Sequence, residues 1–435
     1  MTLKDQNYKG FKIYFKNTMW LFFQRIFQMV MSFFIIIAIT RYLGPEKFGL
    51  LAYAQSFVGI FVAFSTLGID VILVRELIRH KECSSRFIGT AFFLKLIVSV
   101  ISIVVILVLN LLTVSSQNSL LVLIISLTLF FQCFNTIDCY FQARIISKYS
   151  ALISTIAFAI SSLVKLFLVF IGAKLICFAY ALVLDSLLLA LGYIYIYIAH
   201  ENSLFNWVFD RGVAINLLKS GWPLTVVSVA AFVYTRIDQV MLEYMVGNVA
   251  VGNYAAASKI GELFYFIPLL ISQSVFPKII EMKSYSEKEY FEVLEKLYRL
   301  VVWSSIPIAI GLFVFRNQIV FVLYGHEFIQ AGTVLSVLSF GIVFNAIGTI
   351  TTKVLYVEHY ERKYLYRSIL GALVNIGLNF YFIPIYGATG AAISTILTLF
   401  IIYYIYDVLD KDLHKFYYLK IKCFIPIELK SKIKE

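Results

Sequence analysis

Charge is scarce in this chain of 435 residues: Asp, Glu, Lys and Arg make up 14% of it, against 61% hydrophobic residues. Soluble globular proteins carry about 25% charged and about 45–50% apolar residues. A soluble enzyme, a secreted disulfide scaffold and a nucleic-acid-binding domain are therefore excluded. Histidine and cysteine number five each. His80, His200, His326, His359 and His414 all fall between apolar runs, which leaves no intramembrane histidine site. Cys83, Cys133, Cys139, Cys177 and Cys423 make no CxxC pair and no metal-ligand spacing, so no metal site is expected. A phosphate-binding loop is missing as well. Gly247-x4-Gly252 continues with Asn253 and Tyr254 instead of the Lys-Ser/Thr that grips phosphate and Mg²⁺, so no nucleotide partner is expected.

Apolar sequence is abundant, in runs of roughly 18 to 25 residues, the length that crosses a bilayer core. Twelve spans are predicted, at 17–40, 49–74, 87–112, 118–141, 149–171, 174–198, 220–245, 253–276, 299–323, 331–356, 364–386 and 388–409. Every second connection is basic. Arg75, Arg79, Lys81 and Arg86 follow the second span, Arg144 and Lys148 the fourth, and Arg211 and Lys219 the sixth. Lys278, Lys283 and Lys288 follow the eighth, and Arg362, Lys363 and Arg367 the tenth. The alternate connections hold only Arg41, Lys47, Lys174 and Arg316. The positive-inside rule then puts most of the net charge of +12, and both termini, in the cytoplasm. The basic lead Lys4, Lys9, Lys12, Lys16 runs into apolar sequence from Trp20 to Ile39, longer than a cleavable signal core, so a first membrane helix is expected there.

The outer connections are short, which leaves no room for the catalytic loop that a membrane polysaccharide polymerase or ligase needs. The longer connections, 199–219 and 277–298, are cytoplasmic. The second reads as a short surface helix, with Ser286 and Glu289 spaced as a capping box and Leu294, Leu297 and Tyr298 as its apolar stripe. The tail 413–434 alternates Lys with Phe, Tyr and Ile; it fits either a segment lying on the membrane surface or a solvated basic tail. A repeat is visible. Gly44-x4-Gly49-x2-Ala52-x-Ala54 after the first span matches Gly247-x4-Gly252-x2-Ala255-x-Ala257 after the seventh, at a constant offset of 203 residues. The fold class expected is an all-α polytopic membrane protein of about 12 helices. It divides into an N-lobe at 1–198, an inter-lobe loop at 199–219, a C-lobe at 220–409 and a basic tail at 410–435, with the two lobes related by a pseudo-two-fold axis along the membrane normal.

Charges inside the spans each cost about 2.5–3.5 kcal/mol on insertion scales and call for a reason. Arg25 shares a face of the first span with Gln28 and Ser32; it either snorkels to the inner surface or serves as a cavity cation. The seventh and eighth spans carry Arg236, Asp238, Lys259 and Glu262. A turn centred near Val249 sets Arg236 opposite Glu262 and Asp238 opposite Lys259, as ion pairs that either clamp the helices or exchange partners with a coupling ion. Asp238 and Glu262 are the coupling candidates, with H⁺ or Na⁺ as the ion. Lys165 is a weaker cavity candidate on a serine stripe, Lys95 is expected to snorkel, and Asp185 has no evident partner. Asn345, Thr349, Thr352 and Tyr356 form an uncharged polar face suited to sugar hydroxyls or to helix–helix hydrogen bonds. Pro223, Pro268 and Pro307 are expected to bend spans seven, eight and nine.

These motifs together resemble a known family. They are Arg41-Tyr-Leu-Gly44-x4-Gly49, Leu67-Gly68 with Arg75-Glu76, Phe141-Gln142-Ala143, Gly221-Trp222-Pro223, Arg236-Ile-Asp238, Val251-Gly252-Asn-Tyr254, Phe276-Pro277-Lys278 and Tyr324-Gly325-x2-Phe328. The chain is similar to the polysaccharide-exporter branch of the multidrug/oligosaccharidyl-lipid/polysaccharide (MOP) superfamily, the O-antigen (Wzx-type) flippases. The resemblance implies a MATE-like fold and alternating-access transport of undecaprenyl-pyrophosphate-linked oligosaccharide across the cytoplasmic (inner) membrane, with no catalytic residues and no cofactor beyond a coupling ion. It implies lipid-linked oligosaccharide and membrane lipids as partners, with a polysaccharide polymerase and a chain-length regulator beside them. It favours the cavity role for Arg25; the residues themselves make Lys165, Arg236 and Lys259 supporting substrate cations, with Gln28, Asn345 and Thr349 as polar lining. A cation-coupled drug exporter of the same fold is the rival, and it calls for a more acidic cavity.

Overall fold

The computed structural model describes residues 3–112, 116–200 and 203–424. The described chain is helical, and ten of its helical stretches are long and apolar enough to cross a membrane. Two of these, Gln24–Arg79 and Glu361–Leu409, run 56 and 49 residues, far beyond one bilayer crossing. Each is broken by a glycine at positive φ, Gly44 (φ 70°) in helix α1 (Leu3–Ser65) and Gly387 (φ 56°), where turns between spans are expected. Gly44 is followed by Pro45, whose missing N–H costs nothing at the first position of the resumed helix.

The repeat has a conformational counterpart. Gly44 (φ 70°, ψ 173°) and Gly247 (φ 111°, ψ 176°) share one backbone state, open at little cost only to glycine. The second glycines of the motifs bring the two segments together. A Cβ on Gly49 would stand 1.9 Å from the Asn248 carbonyl oxygen, and one on Gly252 would stand 1.9 Å from that of Pro45. Under the 203-residue offset Pro45 corresponds to Asn248 and Gly49 to Gly252, so the contact is reciprocal.

The chain forms two compact units, Met1–Leu43 with Ala54–Val229 and Gly44–Tyr53 with Ala230–Glu435. The first contains α2 (Asp70–Arg79), α3 (Ser84–Leu112), α4 (Ser116–Ser126), α5 (Thr128–Gln132), α6 (Asn135–Ala143), α7 (Lys148–Phe170) and α8 (Leu175–Ala199). Its core joins Ile69, Leu73 and Leu77 to Ile88, Ile137, Phe141, Tyr193, Tyr197 and Leu217. The division falls within α9 (Arg211–Met245), and not at the loop 199–219 expected from the sequence. Side-chain packing explains this. Trp207 of that loop packs its ring, tilted, against Phe92 and donates to the Tyr197 hydroxyl at 3.2 Å, and a Cβ on Gly221 would stand 2.6 Å from the Leu67 carbonyl oxygen. The loop and the start of α9 thus belong to the first unit.

The second unit holds the rest of α9, α10 (Asn248–Phe264), α11 (Phe266–Tyr285), α12 (Glu287–Val314), α13 (Arg316–Tyr324), α14 (Ile329–Val357) and α15 (Glu361–Phe400). A π turn at Ile401–Ile405, α16 (Tyr406–Leu409) and α17 (His414–Lys422) complete it. Ser286 caps α12 by accepting the Glu289 N–H, as expected, but the surface helix is no separate element: it continues straight into the ninth span. Its stripe of Leu294, Leu297 and Tyr298 is buried in the unit's core. The tail also departs from both expected forms. Leu413, Phe416, Leu419 and Cys423 are buried in that same core, so 413–424 is a packed helix; the tail beyond Phe424 lies outside the described residues. Pro223 and Pro307 sit inside continuous helices, whereas Pro268 follows the break at Tyr265, because it has no N–H to carry the ladder across.

Candidate functional site

In the second unit, the expected pair forms between Arg236 Nη2 and Glu262 Oε1 at 2.9 Å, and Lys259 Nζ reaches the other Glu262 oxygen at 3.1 Å. The expected Asp238–Lys259 pair does not form. Residues two apart on a helix face nearly opposite ways, so Arg236 meets Glu262 on α10 while Asp238 sits between Tyr254 of that helix and α15. There Asp238 is fully buried and accepts from the Tyr254 hydroxyl at 2.5 Å, Asn379 Nδ2 at 2.5 Å and Thr395 Oγ1 at 2.7 Å. It makes no ion pair with a described residue. Asn379 also donates to Asn375 Oδ1 at 3.1 Å, which leaves Asn375 Nδ2 and Asn379 Oδ1 buried without partners among the described residues. Turning these amides would present carbonyl oxygens in place of N–H groups. Asn375, Asn379 and Thr395 were not singled out from the sequence, and Tyr254 only as part of a family motif; two amides four apart in an apolar span were the signal available for the first pair.

A cavity of about 270 Å³ adjoins this carboxylate. Its lining includes Tyr234, Arg236, Tyr254, Glu262, Asn345 and Thr395. Thr349 is not among the lining residues; its hydroxyl donates to the Asn345 carbonyl one turn back on its own helix.

The first unit has a different arrangement. Lys165 pairs with Asp185, which supplies the partner that the sequence did not show. Asp185 borders a cavity of about 440 Å³, together with Gln28, Met29, Ser32, Ser154 and Phe158. Gln28 is held there by donating to the Ser154 carbonyl at 3.0 Å. Arg25 is exposed, without an ion-pair partner among the described residues, one turn from Gln28 and Met29 on the stripe that lines the cavity. Lys95, expected to snorkel, is instead buried and paired with Asp70, because the start of α2 brings a carboxylate to it. Arg367 and Lys420, counted as cytoplasmic cations from the sequence, are buried too. Both pair with the buried Asp407, and Lys420 also donates to the Tyr403 carbonyl at 2.9 Å within the π turn.

Buried ion pairs, a cavity inside each helical unit and ten stretches of membrane-crossing length define a multi-span membrane protein. Solved structures agree on the fold. The lipid II flippase MurJ in an inward closed conformation superposes with a TM-score of 0.73 at 16% identity, covering 92% of this chain and 90% of that one. An inward-facing MATE transporter of the MOP superfamily gives 0.69 at 15%, covering 89% and 96%. The model of the polysaccharide biosynthesis protein family matches residues 14–283, more than half of the chain, and the MatE model matches 223–381. The chain belongs to the polysaccharide biosynthesis protein family. It is 26% identical over 209 residues to a candidate O-antigen transporter of Shigella dysenteriae, covering 48% of this chain and 52% of the relative. It is 27% identical over 248 residues to the candidate flippase AglR of Haloferax volcanii, covering 55% and 50%. The chain spans about half the length of these relatives.

Proposed function

We propose that this protein is a flippase that moves a lipid-linked oligosaccharide across the cytoplasmic membrane by alternating access, coupled to a monovalent cation. It is a transporter and not an enzyme, with twelve spans, both termini inside and two six-helix lobes. Undecaprenyl-pyrophosphate-linked repeat units of O-antigen or a related surface polysaccharide are its substrates. A polymerase and a chain-length regulator act on the product. The observation that carries this reading is Arg25, an exposed guanidinium in the first span, one turn from the cavity-lining Gln28 and Met29. A pyrophosphate brought into low dielectric needs such a cation, and a planar fork can take two phosphate oxygens at once. Arg236 and Lys259, which share the single carboxylate of Glu262, add net positive charge, whereas Lys165 is neutralised by Asp185; Gln28 and Asn345 offer hydrogen bonds to sugar hydroxyls.

Coupling rests on Asp238. A buried carboxylate held only by neutral groups has no counter-charge of its own at hand. H⁺ or Na⁺ supplies it, with the carboxylate, the Asn375 and Asn379 amides and the Thr395 hydroxyl as oxygen donors. Arg236, Lys259, Glu262 and Asp238 sum to zero when Asp238 is empty and to +1 when it is loaded, so a loaded site attracts an anion more strongly. Linkage makes the effect mutual: the anion favours ion loading by the same factor. The MatE match at 223–381 carries a second reading, a cation-coupled drug exporter. Purified protein in vesicles decides between them. Translocation of a pyrophosphate-linked glycolipid, lost in Arg25→Ala and partly kept in Arg25→Lys, supports the flippase. Efflux of organic cations that survives Arg25→Ala supports the exporter.

A further inference from the structure

Asp238 is fully buried, so an ion that loads it has to reach it through the protein. Among the described residues, three neutral donors hold the carboxylate, and two of them, Tyr254 and Thr395, also line the 270 Å³ cavity. The third, Asn379, is not in that lining. The carboxylate and the cavity are therefore separated by two hydroxyl groups, which are themselves 3.1 Å apart. The rest of the lining is mixed, with Ser258, Thr235, Asn345 and the paired Arg236 and Glu262 between tyrosine rings and two leucines. Two further features keep this space open. The helix breaks at Tyr265, one turn past Gly261, and no atom stands within 4 Å of the place a Cβ on Gly261 would take. Gly261 is helical, so the space beside it is room a side chain could fill without backbone strain.

The geometry points to a vestibule: we propose that the cavity of the second unit is the route by which a monovalent cation, H⁺ or Na⁺, reaches Asp238. In this scheme the Tyr254 and Thr395 hydroxyls form its inner gate. Their oxygens can accept from hydronium or coordinate a sodium ion in passing, and their hydrogens return to the carboxylate when the site is empty. Glu262, held between Arg236 and Lys259, is already neutralised, so it does not trap the ion on the way. The inference rests on the cation-coupling reading above and adds the path.

Cysteine accessibility tests it without any glycolipid. Ser258 is changed to Cys in a background where Cys83, exposed, and Cys177, half-buried, are Ser; the three other cysteines are buried. The probe is a water-soluble, positively charged methanethiosulfonate. Ser258→Cys is expected to react, at a rate that, relative to a free thiol at the same pH, changes on adding Na⁺ at fixed pH if the ion is sodium, or only with pH if it is the proton. That sensitivity should vanish in Asp238→Asn. Thr395→Val, of the same shape without the hydroxyl, should weaken it, and stands in if Asp238→Asn does not insert. Gly261→Leu should suppress labelling by filling the route. Gly377→Leu should not, because it also has free space around it but does not line the cavity. An inert Ser258→Cys, a rate indifferent to both Na⁺ and pH, or a sensitivity unchanged in both Asp238→Asn and Thr395→Val overturns the proposal. A cation-sensitive vestibule in a protein that moves no glycolipid would sink the proposed function alone. Glycolipid transport with a cation-indifferent cavity would sink this inference alone.

Discussion

The first unit pairs two of its intramembrane carboxylates with lysines, whereas the second pairs Glu262 and Asp407 but leaves one, Asp238, without an ion pair among the described residues. In the first, Asp70 and Asp185 each meet a lysine from a neighbouring helix, Lys95 and Lys165. In the second, Asp238 has no cationic partner and is held by hydroxyl and amide groups alone. A carboxylate paired within the protein has spent its charge on helix packing, whereas one held by neutral donors remains open to a cation from outside. The difference assigns structural work to the paired carboxylates and exchange to Asp238. The first unit instead leaves a cation exposed, Arg25.

The sharpest way to break this contrast is to neutralise Asp238. Asp238→Asn should abolish the dependence of transport on Na⁺ or pH in vesicles, while Asp185→Asn changes stability and leaves the ion dependence intact. Arg25→Ala should lower glycolipid translocation by about 100-fold, which corresponds to about 3 kcal/mol for a lost charge-assisted contact. Arg25→Lys should retain part of the activity, since the charge survives without the fork. Lys165→Met strands Asp185 and should cost about 3 kcal/mol of stability, read as a lower melting temperature. The double variant Lys165→Met/Asp185→Leu should recover most of that loss, which would mark the pair as structural. If the double variant stays as unstable as the single one, the paired-versus-open contrast fails for the first unit.

The smallest effect concerns the tail. Burial pushes the Lys420 pKa down to about 8 from its ordinary 10.5, despite the pull of Asp407. Between those values the undocked lysine binds more protons than the docked one, so docking of α17 strengthens as pH rises through the window and is weakest below it. The melting temperature at pH 9 should therefore exceed that at pH 7 by more in the parent protein than in Lys420→Met.

Hydropathy and charge alternation alone determined the helical membrane class, because a bilayer admits little else for such long apolar runs. The glycine repeat was equally legible, since positive φ and close backbone approach leave a residue-type signature at Gly44, Gly49, Gly247 and Gly252. The Arg236–Glu262 pair followed from counting across a hairpin. Two partners of Asp238, Asn379 and Thr395, did not, because they come from α15, 141 and 157 residues away, and counting along a hairpin says nothing about a third helix. The same holds for Lys95, Lys165, Arg367 and Lys420, which a charge count assigns to water or lipid. Only the tertiary structure brings a carboxylate within reach of each, and burial without a partner would be too costly for any of them to stay inside.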